Sequence, residues 1–382
     1  MHLFRQGFER RLRRRASNGV TASPRARLHP SPHRMVHTEA VLPFIMLVVP
    51  IYGHGQLTLP PSRNGGSLTT AGECIGGACF WFSQLAFIPG EPTNNDEEFR
   101  TYNVKVSSGP RDWSRRAPWR APGYAPVLGS GCGLAGGNKI YIPNGGIPPP
   151  NSGIAQGSDA LDVLPKLPTK TVWQRGTAVE VAYGIHCNHG GGYSYRLCLN
   201  KGNVSEECFQ RGALEFADDL SYLQYDNNIY KGKNITRQQI KNKRLSKGTW
   251  PENSDWKRIP MPTCNFCDEA SCSGEYMSLE FADCIANCSG HNTPVGCPAG
   301  LTQFPEPLPG ISGWPGKFAN DHLTDGRNKI NDDQTDYFPF SVVDKVVLPK
   351  DLVPGEYLLS WRWDAEQSAQ VWLNCADVTI VS

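Results

Sequence analysis

Three short segments carry the residue types that could do chemistry together: HGQLTLPPSR at 54–63, NHGGGYSYR at 188–196 and QVWLNCADV at 370–378. His54 directly follows Gly53 and the apolar run AVLPFIMLVVPIY at 40–52, which itself follows a basic stretch. That order reads as the hydrophobic region of a secretory signal with a small residue at the cleavage point. The run is shorter than the ~18 residues of a membrane span, and Pro43 and Pro50 argue against a buried strand. Cleavage after Gly53 would make His54 the terminal residue of the mature chain. Its α-amine and ring Nδ1 could then chelate one metal ion. A second histidine would add a third nitrogen, and such a set suits copper, which tops the divalent affinity order. The amine must lose a proton to bind, which its intrinsic pKa of ~7.7–8.0 makes inexpensive near neutrality.

The second nitrogen ligand comes from His189 or from His186, three residues earlier in IHCNH. If His189 ends a strand, His186 projects to the opposite face by period two. The glycines at 190–192 would let the backbone pass close to a metal and leave a flat, open face. His291 and His322 sit in loop-like sequence and read as solvated. Glu366, in DAEQSAQVW, could handle protons but reads first as an exposed loop carboxylate; Asp377 reads as structural.

These segments resemble the lytic polysaccharide monooxygenases, the copper enzymes that include the chitin-binding type-4 domains. HGQLTLPPSR looks like their mature start, and QVWLNCADV is similar to their closing segment, where Gln-x-(Tyr/Phe) precedes a Cys. The resemblance spans the mature chain but is specific only at these anchors. It implies His54 and His189 as a histidine brace for one copper ion and Gln370 as a hydrogen-bonding residue beside it. It puts Trp372 where an axial Tyr or Phe usually stands. Indole Nε1 is a donor only, so Trp372 could shield copper but not ligate it, or it is an ordinary core residue. The implied activity is oxidative cleavage of glycosidic bonds at C1 or C4 in a polysaccharide such as chitin or cellulose. O2 or H2O2 is the implied co-substrate, and an external reductant the electron donor.

The elements that must position these residues read as β. The chain of 382 residues carries 39 Gly and 31 Pro, which favours a loop-rich β protein, and its 10 Trp, 13 Tyr and 15 Phe argue against disorder. Strand-like runs are short: 139–142, 178–185, 193–199, 342–348, 357–363 and 370–381, with period-two alternation clearest in AVEVAYGI and EYLLSWRW. Helical patterning is confined to 237–245 and 276–286. The expected fold is an all-β, immunoglobulin/fibronectin-III-like antiparallel β-sandwich with long disulfide-stapled loops.

The expected organisation is a leader and secretory signal at 1–53, removed, with Met1 or Met35 as the start. A single copper monooxygenase β-sandwich domain follows at 54–382, with a Cys-rich insertion at about 200–335. Nine arginines and two glutamates fall in 1–53, so the formal charge of +2 conceals a net of −5 after residue 53. All 13 cysteines lie after residue 53, which in a secreted chain allows up to six disulfides and one thiol. The six cysteines from Cys264 to Cys297 read as disulfide staples rather than a zinc site. Sequons at Asn203, Asn234 and Asn287 fit the same route.

The protein so read is secreted and extracellular, monomeric and free of the membrane in mature form. Its partners are a polysaccharide and an electron donor, not nucleic acid. Trp81, Phe82, Trp113, Trp119, Tyr193 and Tyr195 are candidates for a flat sugar-binding face, with the core as their alternative. Two rival functions stand beside the monooxygenase. One is a hydrolase, which would need a pair of carboxylates at the scissile bond and has no motif here. The other is a non-catalytic polysaccharide-binding or copper-carrying module with the same brace.

Overall fold

The computed structural model describes residues 54–68, 74, 77–84, 88, 118–138, 152–168, 171–187, 190–225, 237–260, 340–366 and 370–382. All fall in one compact unit, 48–382. In chain order the strands are β1 (His54–Leu59), β2 (Trp81–Gln84), β3 (Leu134–Ala135), β4 (Val172–Gln174), β5 (Ala178–Cys187), β6 (Gly192–Leu199) and β7 (Glu215–Phe216). Then come β8 (Leu220–Tyr225), β9 (Arg237–Lys241), β10 (Arg244–Leu245), β11 (Trp256–Arg258), β12 (Phe340–Val347), β13 (Gly355–Asp364) and β14 (Gln370–Val381). Two short α-helices, α1 (Ala160–Val163) and α2 (Glu206–Arg211), and a 3-10 turn at Pro118–Arg120 complete the regular structure among the described residues. No helix among them is long and apolar enough to cross a membrane.

The strands form two sheets. One has the order β1-β5-β12-β8-β9, with β7 also on β12; the other has the order β10-β11-β6-β13-β14-β2-β3, with β4 added to β14. Pairing is antiparallel throughout, except that β4 runs parallel to β14. Alternation along the strands turns Val181, Tyr183, Val342 and Val346 of the first sheet toward Tyr193, Leu359, Trp361 and Trp372 of the second, in one buried apolar cluster. The architecture is the expected all-β sandwich.

The outer face of the second sheet is not solvated. Its residues Cys198, Leu358 and Cys375 meet Trp81, Cys132, Ala160 and Phe209 in a second cluster, roofed by α1, α2 and the loop of residues 118–138. Disulfides fasten this roof: Cys132 is bonded to Cys375 of β14, and Cys198 of β6 to Cys208 of α2. A third, Cys74–Cys79, closes a local loop. Ser205 caps α2, its side chain accepting from the Cys208 amide, and Asn203 just before it is exposed.

Two expectations change. Residues 237–245 form β9 and β10, not a helix: RQQIK has no apolar stripe at helical spacing, and it pairs at the sheet edge with β8. The stretch 200–335 is not an insertion in its first part, because β7 to β11 pair into both sheets. Residues 139–142, the candidate helix 276–286 and the six cysteines from 264 to 297 lie outside the described residues, as does the leader 1–53.

Candidate functional site

The N-terminal strand carries position 54 to the end of β5. In the β1–β5 register His54 lies opposite Cys187 and Gly55 opposite Ile185, with an irregularity between the two pairs. β5 ends at Cys187, two residues before His189, and the chain is described again from Gly190. His189 itself lies outside the described residues. His186 lies within β5, between Ile185 and Cys187.

One side chain touches the flank of both predicted ligands. Trp363 of β13 donates its indole N–H to the Gly190 carbonyl at 2.7 Å. The same indole lies under Gly55, where a Cβ would sit 3.1 Å from Trp363 Cε3 and 2.7 Å from Trp361 Cη2. Only a residue without a side chain lets β1 lie this close to the two tryptophans. Trp363 also pairs across the strands with Trp372, their rings 6.0 Å apart. Sequence reasoning missed this role, because the alternation in EYLLSWRW identifies Trp363 only as inward-facing.

Trp372 is buried in the apolar core between the sheets, with its ring 4.4 Å from that of Phe82. Gln370, two residues earlier at the start of β14, is also buried, and its carbonyl accepts from the Ala365 amide at 3.1 Å. β1 reaches β14 as well: the Leu57 amide donates to Asn374 Oδ1 at 2.9 Å. Positions 55, 190, 370 and 372 are thus tied together through Trp363 and the β13–β14 pair.

The glycines do not leave an open face. Gly190, Gly191 and Gly192 are all buried. Gly191 adopts φ +80°, and a Cβ there would lie 2.1 Å from the Asp364 carbonyl oxygen, so the glycine permits close packing rather than exposure. Glu366 is not an exposed loop carboxylate either. It is buried, with Oε2 accepting from Arg258 Nη2 at 2.9 Å and from the Gly191 amide at 3.3 Å. Asp377 is structural, gripped by Arg63 at 2.7 and 2.8 Å. Among the candidates for a sugar-binding face, Trp81, Phe82, Trp119, Tyr193 and Tyr195 are all core residues. Trp113, His291 and His322 lie outside the described residues.

The buried carboxylates Glu206, Asp255, Asp344, Asp364, Glu366 and Asp377 each sit in an ion pair with Arg or Lys. None is spare for the paired acid and base of a glycoside hydrolase. Among the described residues no group of three or more His, Cys, Asp or Glu side chains could hold a metal. An α-amine and two imidazoles form a set whose chemistry fits copper.

No family model and no curated protein matches the chain. Among solved structures it is similar to a lytic polysaccharide monooxygenase, AA15, from Thermobia domestica in the Cu(I) state (14% identity, 86% of this chain and 98% of that one, TM-score 0.28). It is similar also to a chitin binding domain from Burkholderia pseudomallei (10% identity, 86% and 100% coverage, TM-score 0.30). A third such structure is a cellulose-active lytic polysaccharide monooxygenase in complex with copper (12% identity, 85% and 98% coverage, TM-score 0.27). Likenesses at this level carry no chemistry to this chain, whose class is set by its own strands: an all-β sandwich.

Proposed function

We propose that the mature protein is a secreted copper-dependent monooxygenase that cleaves glycosidic bonds oxidatively in a polysaccharide such as chitin or cellulose. The observation that carries this reading is Trp363, one indole against residue 55 and bonded to residue 190, the neighbours of His54 and His189. After removal of 1–53, the His54 α-amine and imidazole and the His189 imidazole would hold one copper ion. When bound, copper supplies one-electron exchange with an external reductant and activation of O2 or H2O2.

The rest is the work of the chain. Trp363 fixes the spacing of β1 and the segment that starts at Gly190. Trp372 offers indole carbon and an N–H donor, so it excludes water without adding a ligand. Gln370 would supply an amide able to donate or accept a hydrogen bond at the copper site. Hydroxylation at C1 or C4 and the choice of polysaccharide follow from how the sugar sits. The three disulfides suit an oxidising compartment.

The test begins with the secreted protein's N-terminal sequence, expected to start at His54. A different mature terminus overturns the copper reading. Protein starting at His54 is then incubated with copper, a reductant and chitin or cellulose, and aldonic or C4-keto oligosaccharides are sought by mass. Copper binding without oxidised products identifies a copper-carrying or polysaccharide-binding module instead. Products of native mass without reductant identify a hydrolase.

A further inference from the structure

We infer that the Arg258–Glu366 ion pair is a positioning device. It clamps the segment Gly190–Gly192, which follows in sequence the histidine proposed above as a copper ligand. The inference rests on the copper reading above but concerns residues that reading does not use.

Three elements meet on these glycines. The Gly191 amide donates to Glu366 Oε2 at 3.3 Å, from the turn between β13 and β14. The Gly191 carbonyl accepts from the Ile259 amide at 2.9 Å, just past β11, and Gly192 pairs with Arg258 in register. The Gly190 carbonyl accepts from Trp363 at 2.7 Å. Consecutive peptide groups are therefore pinned from opposite sides at a residue with φ +80°.

The charges make this clamp firm. Glu366 Oε2 receives Arg258 Nη2 at 2.9 Å, and both side chains are buried, so the bond is charge-assisted and shielded from solvent. The Arg258 guanidinium lies 5.1 Å over the buried Trp119 ring. The Trp119 amide in turn donates to the Ala365 carbonyl at 3.1 Å, next to Glu366. The turn, the arginine and the glycines are thus one closed circuit. A surface ion pair would need none of this, and a carboxylate kept for proton transfer would not be spent on an arginine and an amide.

The test compares wild type with Glu366→Gln and Arg258→Lys in the mature full-length protein, each checked for folding by its melting curve. Hydrogen exchange at residues 190–192 of the copper-free protein reads the clamp directly, and Cu(II) affinity and the Cu(II) EPR spectrum read its effect on the ligands. In Glu366→Gln the exchange quickens, copper affinity falls about tenfold and the EPR spectrum shifts, as for loss of an outer-shell partner. Arg258→Lys keeps the charge but not the planar fork and gives a smaller change of the same sign; it stands in if Glu366→Gln does not fold. Unchanged exchange, or faster exchange with affinity within twofold and an unaltered spectrum, overturns the inference. Wild-type protein that starts at His54 yet binds no copper overturns the copper reading and the role toward the metal. Faster exchange in the variant would then support the clamp alone.

Discussion

Lys257 and Arg258 are neighbours on β11, point to opposite faces of one sheet, and each ends on a buried carboxylate. Lys257 points inward and reaches Asp344 of the other sheet at 2.8 Å, with both side chains fully buried. Its ammonium also donates to the Leu220 carbonyl at 2.7 Å and lies 4.6 Å over the Phe216 ring. Around Asp344 gather the Tyr193 hydroxyl at 2.8 Å and Ser221 at 2.6 Å, and Asn242 bridges these two. Arg258 points outward, to a turn and a glycine segment. The inward pair joins two sheets; the outward pair joins a loop to a turn, next to the segment proposed to carry the site. Charge burial alone therefore does not mark function: the elements a pair connects decide what it serves.

The largest effect is expected where the inward pair is broken. Lys257→Met leaves Asp344 charged between the sheets and should cost about 3–5 kcal/mol in urea unfolding. Tyr183, Tyr193 and Tyr195 reinforce the point, since burial first and Asp344 second push their hydroxyls well above the ordinary tyrosine range. They stay protonated, and Tyr193 can donate to Asp344. The double variant Lys257→Met/Asp344→Leu should recover much of the loss, because no charge is then left alone. A single variant within about 1 kcal/mol of wild type would mean that the inward pair does not tie the sheets.

The same contrast explains what the sequence discloses. The strands of residues 340–381 are legible because Val, Ile, Leu and Trp alternate there with polar residues. β11 is not, because two of its three buried positions are Lys257 and Arg258, whose partners lie 87 and 108 residues away. Polarity in a sequence reads as exposure, and nothing local signals a distant counter-charge. That is why Glu366 reads as a surface carboxylate and 237–258 as part of an insertion. The histidine anchors are proposed on different grounds: position relative to a leader, and residue type. Trp363, which touches Gly55 and Gly190, acts through packing that only the folded chain assembles.

A second network tests whether outward charges other than the Arg258 pair can also serve the fold. Glu206 of α2 accepts from Arg196 at 2.5 Å and Arg362 at 2.9 Å, under the roof of the second sheet. Burial pushes its carboxyl up, but the two guanidiniums outweigh this and hold it below the ordinary 4.5. A lowered folded-state pKa contributes stability that is present above 4.5 and lost as the pH falls through the folded value. Glu206→Gln should cost about 2–3 kcal/mol at neutral pH. It should also flatten the loss of melting temperature on acidification below that point. Asp255 carries the opposite sign: burial raises its carboxyl despite Arg244, so its contribution weakens as the pH rises above 3.8. A Glu206→Gln variant as acid-sensitive as wild type would remove Glu206 from the groups that stabilise the roof.

The smallest effect serves as the comparison's control. Arg237 of β9 grips Glu180 of β5 with both Nη atoms, at 3.0 and 3.2 Å, although β12 and β8 lie between these two strands in the first sheet. The contact is bidentate, whereas Lys257 offers Asp344 a single ammonium, so by geometry alone the Arg237 pair should matter more. It differs in exposure: its side chains are 33% and 38% exposed. Water already solvates both ions, so pairing gains little and removing one partner strands no charge. Arg237→Gln should shift stability by at most about 0.5 kcal/mol, and the shift should shrink further in molar salt, where the screening length falls to about 3 Å. The Lys257→Met loss should hardly respond to salt, because no ion reaches Asp344. If both variants lost stability equally, or both losses faded in salt, burial would not separate the pairs, and the division into fold-level and site-level charges would rest on contact geometry alone.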